Sequence, residues 1–292
     1  MIEAKGLSKR YKKKVAVSDL SFSVPTGHIT GFLGPNGSGK STTMRLMLGL
    51  DKGQGKTTFD GKTFFEITRP QNTIGALLDA NMFHPKVSAR NHLLELASVS
   101  GIPNKRVDEA ISLVGLESAK KQKVGGFSLG MRQRLGLACC ILDEPDYLML
   151  DEPANGLDPE GIAWLRDFLK DYVNPTRGIL ISSHLLGELQ HIADRVVVIG
   201  QGKLITESTL EEFLNKNVNS SVVVRTTDQK IMASILTKKG LIHKREGNAL
   251  KVTDGTTDDI GRLAYIAKLT VLELREQTGD FGQACLNVRA AR

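Results

Sequence analysis

The residues best suited to chemistry lie in one run, Gly34-Pro35-Asn36-Gly37-Ser38-Gly39-Lys40-Ser41. It fits G-x-x-x-x-G-K-[ST] at every fixed position. The apolar run 29–33 leads into it. Residues 42–50 continue with Met44, Leu46, Met47 and Leu48 in helical register, Thr42 standing in the first turn. A strand, a glycine-rich turn and a helix in that order let backbone N–H groups face a phosphate, with the positive helix end behind them. Lys40 is placed to reach the β- and γ-phosphates, and Ser41 to give a hydroxyl to Mg²⁺. Gly34 to Thr42 are therefore expected to hold a nucleotide.

Catalysis on a nucleotide also needs an acid pair, and Asp-Glu-Pro occurs twice, at 143–145 and 151–153. Leu129, Leu135, Leu137, Ala138 and Ile141 are helix-spaced, with Arg132 and Arg134 between them. Residues 127–142 thus read as a helix, and Asp143-Glu144-Pro145 as the turn that ends it. Tyr147–Leu150 is then a short buried strand. Asp151 and Glu152 stand at its carboxyl end, where α/β sheets gather ligand chemistry. Asp151 is expected to orient Mg²⁺ and Glu152 to polarise an attacking water. His184 follows Ser182 and Ser183 at the end of the apolar run 179–181. It is expected at the same sheet edge, as a γ-phosphate contact.

Positioning these residues takes an α/β fold. The apolar runs 29–33, 147–150, 179–182 and 196–199 each stop at a polar or glycine-containing loop and read as strands. From 87 to 142, Leu93, Leu94, Leu96 and Ala97, then Ile111, Leu113 and Val114, recur at helical spacing, a helical insertion at about 85–140. Beyond residue 211 the pattern restarts with a strand at 222–226, a helix at 228–239 and strands at 241–246 and 250–253. A helix at 258–268, a strand at 271–274 and an amphipathic segment at 281–288 follow. With 215–221 as a polar linker, the expected domains are 1–214 and a small α+β domain at 215–292.

Composition narrows the class. Hydrophobic residues make up 40% and charged residues 24%, enough to bury a sizeable core. No apolar run approaches the ~18–20 residues that span a bilayer. The charged segment 1–14 has no apolar stretch behind it and is not expected to be a signal peptide. Cys139, Cys140 and Cys285 have the spacing of neither a disulfide framework nor a zinc site and fit a reducing compartment.

One further string sharpens the reading. Phe127-Ser128-Leu129-Gly130-Met131, followed by Arg132-Gln133-Arg134-Leu135, is similar to LSGGQ, the signature of ATP-binding subunits of ABC transporters. It stands upstream of the acid strand, as in that family. Asn155-Gly156-Leu157-Asp158 is similar to the family's D-loop, and His184 matches its switch histidine. Tyr11, ahead of Ala16, stands where the family has an adenine-stacking aromatic. The resemblance runs from about residue 2 to 205. It implies a P-loop NTPase cassette that uses ATP and Mg²⁺. Two cassettes would pair head to tail, as a homodimer or with a paralogous cassette. Ser128, Leu129, Gly130, Met131 and Asp158 of one would then face the ATP held by Lys40 of the other. ATP binding would close the pair and hydrolysis would open it, driving a separate multi-spanning permease from the cytoplasmic face of the membrane.

Two departures from the family pattern matter. Asp79, ending IGALLD, stands where the family has a glutamine that contacts Mg²⁺ and water, and aspartate is shorter and charged. Leu129 and Met131 replace glycine and glutamine, while Ser128 and Gly130 are kept. Glu152 is intact, so an active ATPase is expected.

IGALLDANMFHPKVSARNHL and FSLGMRQRLGLA resemble the exporter branch that handles bacitracin, lantibiotics and other antimicrobial peptides. That branch implies a cargo that is an antimicrobial peptide, a drug or a similar amphipathic compound, and it has a C-terminal α+β extension. Phe83, His84 and Pro85 are the candidates for the permease contact. The alternative is a soluble ABC-type ATPase acting on a ribosome or nucleic acid, prompted by a net charge of +7. Residues 1–214 hold 26 Lys+Arg against 24 Asp+Glu, and residues 215–292 hold 13 against 8. The charge therefore sits mostly in the C-terminal domain, without interleaved aromatics, and no nucleic acid is expected.

Overall fold

Alternation of apolar and polar residues builds the first two strands. In β1 (Ile2–Tyr11) Ile2, Ala4 and Leu7 point inward; in β2 (Lys14–Val24) Val17, Leu20, Phe22 and Val24 do. The computed structural model describes residues 1–80, 82–217, 221–253 and 255–277. Along the chain follow β3 (Ile29–Leu33), α1 (Lys40–Met47), β4 (Gln54–Phe59), α2 (Pro70–Thr73) and β5 (Ile74–Leu77). Then come α3 (Ala89–Ser100), α4 (Asn104–Leu113), α5 (Leu129–Cys140), β6 (Tyr147–Leu150) and α6 (Pro159–Tyr172). The series continues with β7 (Gly178–Ser183), α7 (Leu186–Leu189), β8 (Arg195–Gly200), β9 (Lys203–Thr209) and α8 (Leu210–Asn217). Last are β10 (Ser221–Thr226), α9 (Gln229–Lys238), β11 (His243–Glu246), β12 (Ala249–Thr253), α10 (Thr257–Ile266) and β13 (Val271–Gln277). The chain divides between Leu210 and Glu211 into two compact units.

In the first unit, β5-β6-β7-β3-β8-β9 form one sheet, parallel except for β9, which runs antiparallel to β8. Every residue of β3, β6 and β7 is buried. That explains why these strands read as continuous apolar runs and not as alternations. A second, antiparallel sheet, β2-β1-β4, packs its apolar face against the first. Phe22 stacks on Phe32 of β3 with ring centroids 5.2 Å apart. The sequence reading has no counterpart for this second sheet: lysines and serines fill its outward positions and dilute the apolar signal. The helical insertion is present as α3, α4 and α5. Ser88 caps α3 by accepting from Asn91 N at 3.3 Å, and Leu93, Ala97, Val107, Ala110 and Ile111 bury its inner faces.

After α8, the described residues of the second unit run in the order βαββαβ, with β11-β12-β10-β13 in one antiparallel sheet. Val222 and Val224 of β10 and Leu250 and Val252 of β12 meet Met232 and Leu236 of α9 and Ile260 and Ala264 of α10. The expected linker at 215–221 is corrected at both ends: α8 runs through Asn217, and Ser221 is a buried first residue of β10. The helix is hard to see in the sequence because Glu211 and Glu212, in its first turn, mask the apolar signal of Phe213. The amphipathic segment expected at 281–288, and Cys285 with it, lie outside the described residues.

Candidate active site

The strand pairing alone assembles one cluster. Leu33, at the end of β3, lies beside Ser183 of β7, Leu150 of β6 lies beside Ile181, and Leu77 of β5 lies beside Leu150. The phosphate loop, Asp151 and Glu152, His184 and Asp79 therefore leave the sheet at one edge. Asp151 is fixed there by its N–H, which donates to Leu77 O at 2.8 Å. Two glycines are demanded by space. A Cβ at Gly34 would lie 2.6 Å from Ser38 Oγ and 2.7 Å from Ile199 O. One at Gly39, whose φ is +111°, would lie 2.5 Å from Ala16 O.

Side chains close the cluster. Lys40, 6% exposed, donates to Gly34 O at 2.7 Å and lies 2.9 Å from Glu152 Oε1. The second contact is an ion pair lacking hydrogen-bond alignment. The other oxygen of Glu152 lies 2.9 Å from His184 Nδ1. Ser182 Oγ donates to Asp151 Oδ1 at 2.5 Å and accepts from Glu152 N at 2.9 Å, so one hydroxyl sets both members of the acid pair. Glu152 itself has a left-handed backbone, φ +48°.

The loop suits a phosphate. The N-cap of α1 is Gly39, with no side chain to cap the helix and no acid in the first turn. Its first N–H groups are free of helical carbonyl partners. Ser38, 3% exposed, carries a hydroxyl with no hydrogen-bond partner.

A second cluster forms around the signature. Ser128 caps α5, its Oγ accepting from Met131 N at 3.2 Å, and Asp158 caps α6, its Oδ1 accepting from Gly161 N at 2.8 Å. Residues 128–131 and 156–158 line a cavity of about 380 Å³. Leu129 packs on Gly156, and Leu157 packs on Gly130. Sequence reasoning misses that interlock, because nothing in a linear string pairs residues across two loops. Tyr11 joins the first cluster from the side: its hydroxyl lies beside Thr42 and donates to Asp51 Oδ2 at 2.6 Å. Asp51 escapes it too, since a lone aspartate after a helix carries no motif. The expected permease contacts are in the open: His84 and Pro85 are exposed, and Phe83 packs edge-on against His92 of α3 at 5.0 Å. Cys139 and Cys140 are free thiols on α5, both pushed up by burial and away from either cluster's polar groups.

A model of the ABC transporter family matches residues 17–155. The uncharacterized ABC transporter ATP-binding protein YhcH of Bacillus subtilis (strain 168) is 35% identical over 280 residues, 94% of this chain and 91% of that one. The chain belongs to the ABC transporter ATP-binding proteins. Like them, the cassette binds and hydrolyses ATP. The bacitracin transport ATP-binding protein BcrA of Bacillus licheniformis is 40% identical, covering 74% of this chain and 72% of its own. The lantibiotic transport ATP-binding protein SrtF of Streptococcus pyogenes is 34% identical, covering 75% and 97%. A solved ATP-binding subunit of an ABC transporter overlays with a TM-score of 0.67 at 26% identity, covering 74% of the cassette's chain and 92% of its own. A domain family of unknown function matches residues 220–281. Among the described residues, no helix is long and apolar enough to cross a membrane.

Proposed function

We propose that the cassette powers a separate multi-spanning permease that exports an antimicrobial peptide, a drug or a similar amphipathic compound. The observation that carries its catalytic half is the chain Lys40–Glu152–His184 at the carboxyl edge of the sheet. Glu152 takes a proton from water as the water oxygen attacks the γ-phosphorus. The bond from that phosphorus to the β–γ bridging oxygen breaks, leaving ADP and phosphate, and Lys40 offsets the charge on the transferred group. His184 orients Glu152 and meets the γ-phosphate. Ser41 and Asp151, with Asp79 beyond β5, would hold Mg²⁺, which neutralises phosphate charge when bound. Hydroxyl and carboxylate oxygens suit that hard cation. Among the described residues no group of three His, Cys, Asp or Glu forms a cage.

The signature cluster faces a second copy or a paralogous cassette, with Ser128 and Gly130 meeting the ATP held by Lys40 of the other. Tyr11 is the platform for the adenine. Docking to the permease, at the cytoplasmic face of the membrane, uses the helical insertion. Met82, next to Phe83 in the chain, is 70% exposed, and Leu96 and Val99, three residues apart on α3, are 40% and 89% exposed. The second unit, from Glu211 onward, serves as an accessory domain. Glu152→Gln should lower phosphate release about 10²-fold or more while ATP still binds; unchanged turnover removes Glu152 from its role. Co-purification with a hydrophobic partner from detergent-solubilised native membranes tests the transporter half. A chain that stays partnerless there refutes it.

A further inference from the structure

Tyr11 ends β1 at a hairpin tip where Lys12 takes φ +51° and residues 10–15 are all exposed. A ring there samples its rotamers unless something outside the hairpin holds it. Three contacts do. The Tyr11 hydroxyl donates to Asp51 Oδ2 at 2.6 Å. Asp51 is gripped in turn by Arg45, whose Nε and Nη2 donate to its two oxygens at 3.2 and 3.3 Å. Lys9 Nζ lies 4.8 Å from the ring centroid while donating to Lys52 O at 2.5 Å, which covers one face of the ring. With the residue 45% exposed, the other face is the one open to a ligand. Arg45 holds the Asp51 carboxyl below the usual carboxylate range, and Asp51 pushes the Tyr11 hydroxyl up, so the bond persists at neutral pH.

We propose that Asp51, gripped by Arg45, is the positioning residue that fixes the Tyr11 ring for stacking on the purine of ATP. The inference rests on the reading of Tyr11 as the adenine platform. Arg45 lies in the last turn of α1, the helix that opens with Lys40 and Ser41. One eight-residue helix thus sets the phosphate grip with its first turn and the base platform with its last. The distance between the two ends of the nucleotide is built into a rigid element instead of being left to an exposed hairpin. Preorganising the ring removes the cost of ordering it at binding, so its effect falls on affinity.

The test is steady-state hydrolysis by the full chain. Tyr11→Phe and Asp51→Ala should each raise KM for ATP about 2- to 10-fold, the worth of one hydrogen bond, with kcat changed less than about twofold. The double variant should be no worse than the weaker single one, because both remove the same bond. Asp51→Asn, which keeps an acceptor for the hydroxyl, should recover part of the loss. Inhibition by inorganic tripolyphosphate, which has no base to stack, should be unchanged throughout. Loss of tripolyphosphate binding in step with ATP would mark a structural role and overturn the proposal. Tyr11→Ala separates the two ideas: no rise in KM there refutes the platform itself. A rise with Tyr11→Ala but none with Tyr11→Phe or Asp51→Ala leaves the platform and overturns the tether.

Discussion

The two clusters of the cassette are built on opposite principles. Around Lys40, charged and polar groups pair with one another: lysine with glutamate, glutamate with histidine, aspartate with a serine hydroxyl. Around Ser128 the polar side chains cap helices, and apolar ones interlock across two loops, Leu129 on Gly156 and Leu157 on Gly130. The first cluster is vulnerable to losing a partner, since a buried charge left alone is costly. The second is vulnerable to gaining volume, since its two glycines are the floor on which two leucines rest.

The largest effect tests the first half of that contrast. Lys40→Ala should abolish tight ATP binding and lower turnover by about 10²-fold or more, read by nucleotide fluorescence and phosphate release. Retained turnover would break the contrast. Next is Gly156→Ala. The added Cβ lies 2.1 Å from Leu129 Cδ2, and the residue has φ +74°, so a loss of about 1–3 kcal/mol is expected in denaturant titrations. Leu129→Ala in the same chain should recover the part due to crowding; no recovery would show that the interlock is not what Gly156 serves. Ser128→Ala should cost about 1 kcal/mol through its cap, a small effect beside that of Lys40→Ala.

The smallest effect lies on the helical insertion. Arg90 on α3 holds the Asp108 carboxyl down at about 2, against 3.8 for an ordinary aspartate, with Lys120 adding a second contact. A depressed carboxyl contributes stability above the unfolded value and loses it as pH falls through the folded one. The difference in denaturation midpoint between wild type and Asp108→Asn should therefore shrink between about pH 4 and 2. Because the pair is on the surface, that difference should be minor even at neutral pH. A difference that is as large at pH 2 as at neutral pH would refute the pairing as its cause.

What is legible in the sequence follows the same contrast. Lys40, Asp151, Glu152 and His184 are announced by short strings, because each follows a buried parallel strand, Lys40 as the first residue of the helix after the phosphate loop and the others directly past their strands, and the apolar run is unmistakable. Ser182 can be located there but not assigned its two hydrogen bonds to the acid pair, one donated to Asp151 and one accepted from Glu152. The β2-β1-β4 sheet escapes because half its residues face outward and many of those are charged. Asp51 and the Leu129–Gly156 contact escape for a different reason: both join loops, and loop geometry depends on the finished fold.

The strand order β5-β6-β7-β3-β8-β9 also governs when the site can exist. Ile29 pairs with Ile179, so β3 has no neighbour on that side until some 150 further residues have been made. At about 5–20 residues per second, a nascent chain carries its complete phosphate loop for several seconds before Glu152 and His184 are added. Until then Lys40 has neither the carboxylate nor the parallel strand that hold it in place. Synthesis thus imposes an order of events: the grip on phosphate is written first, and the means of cutting it arrives last.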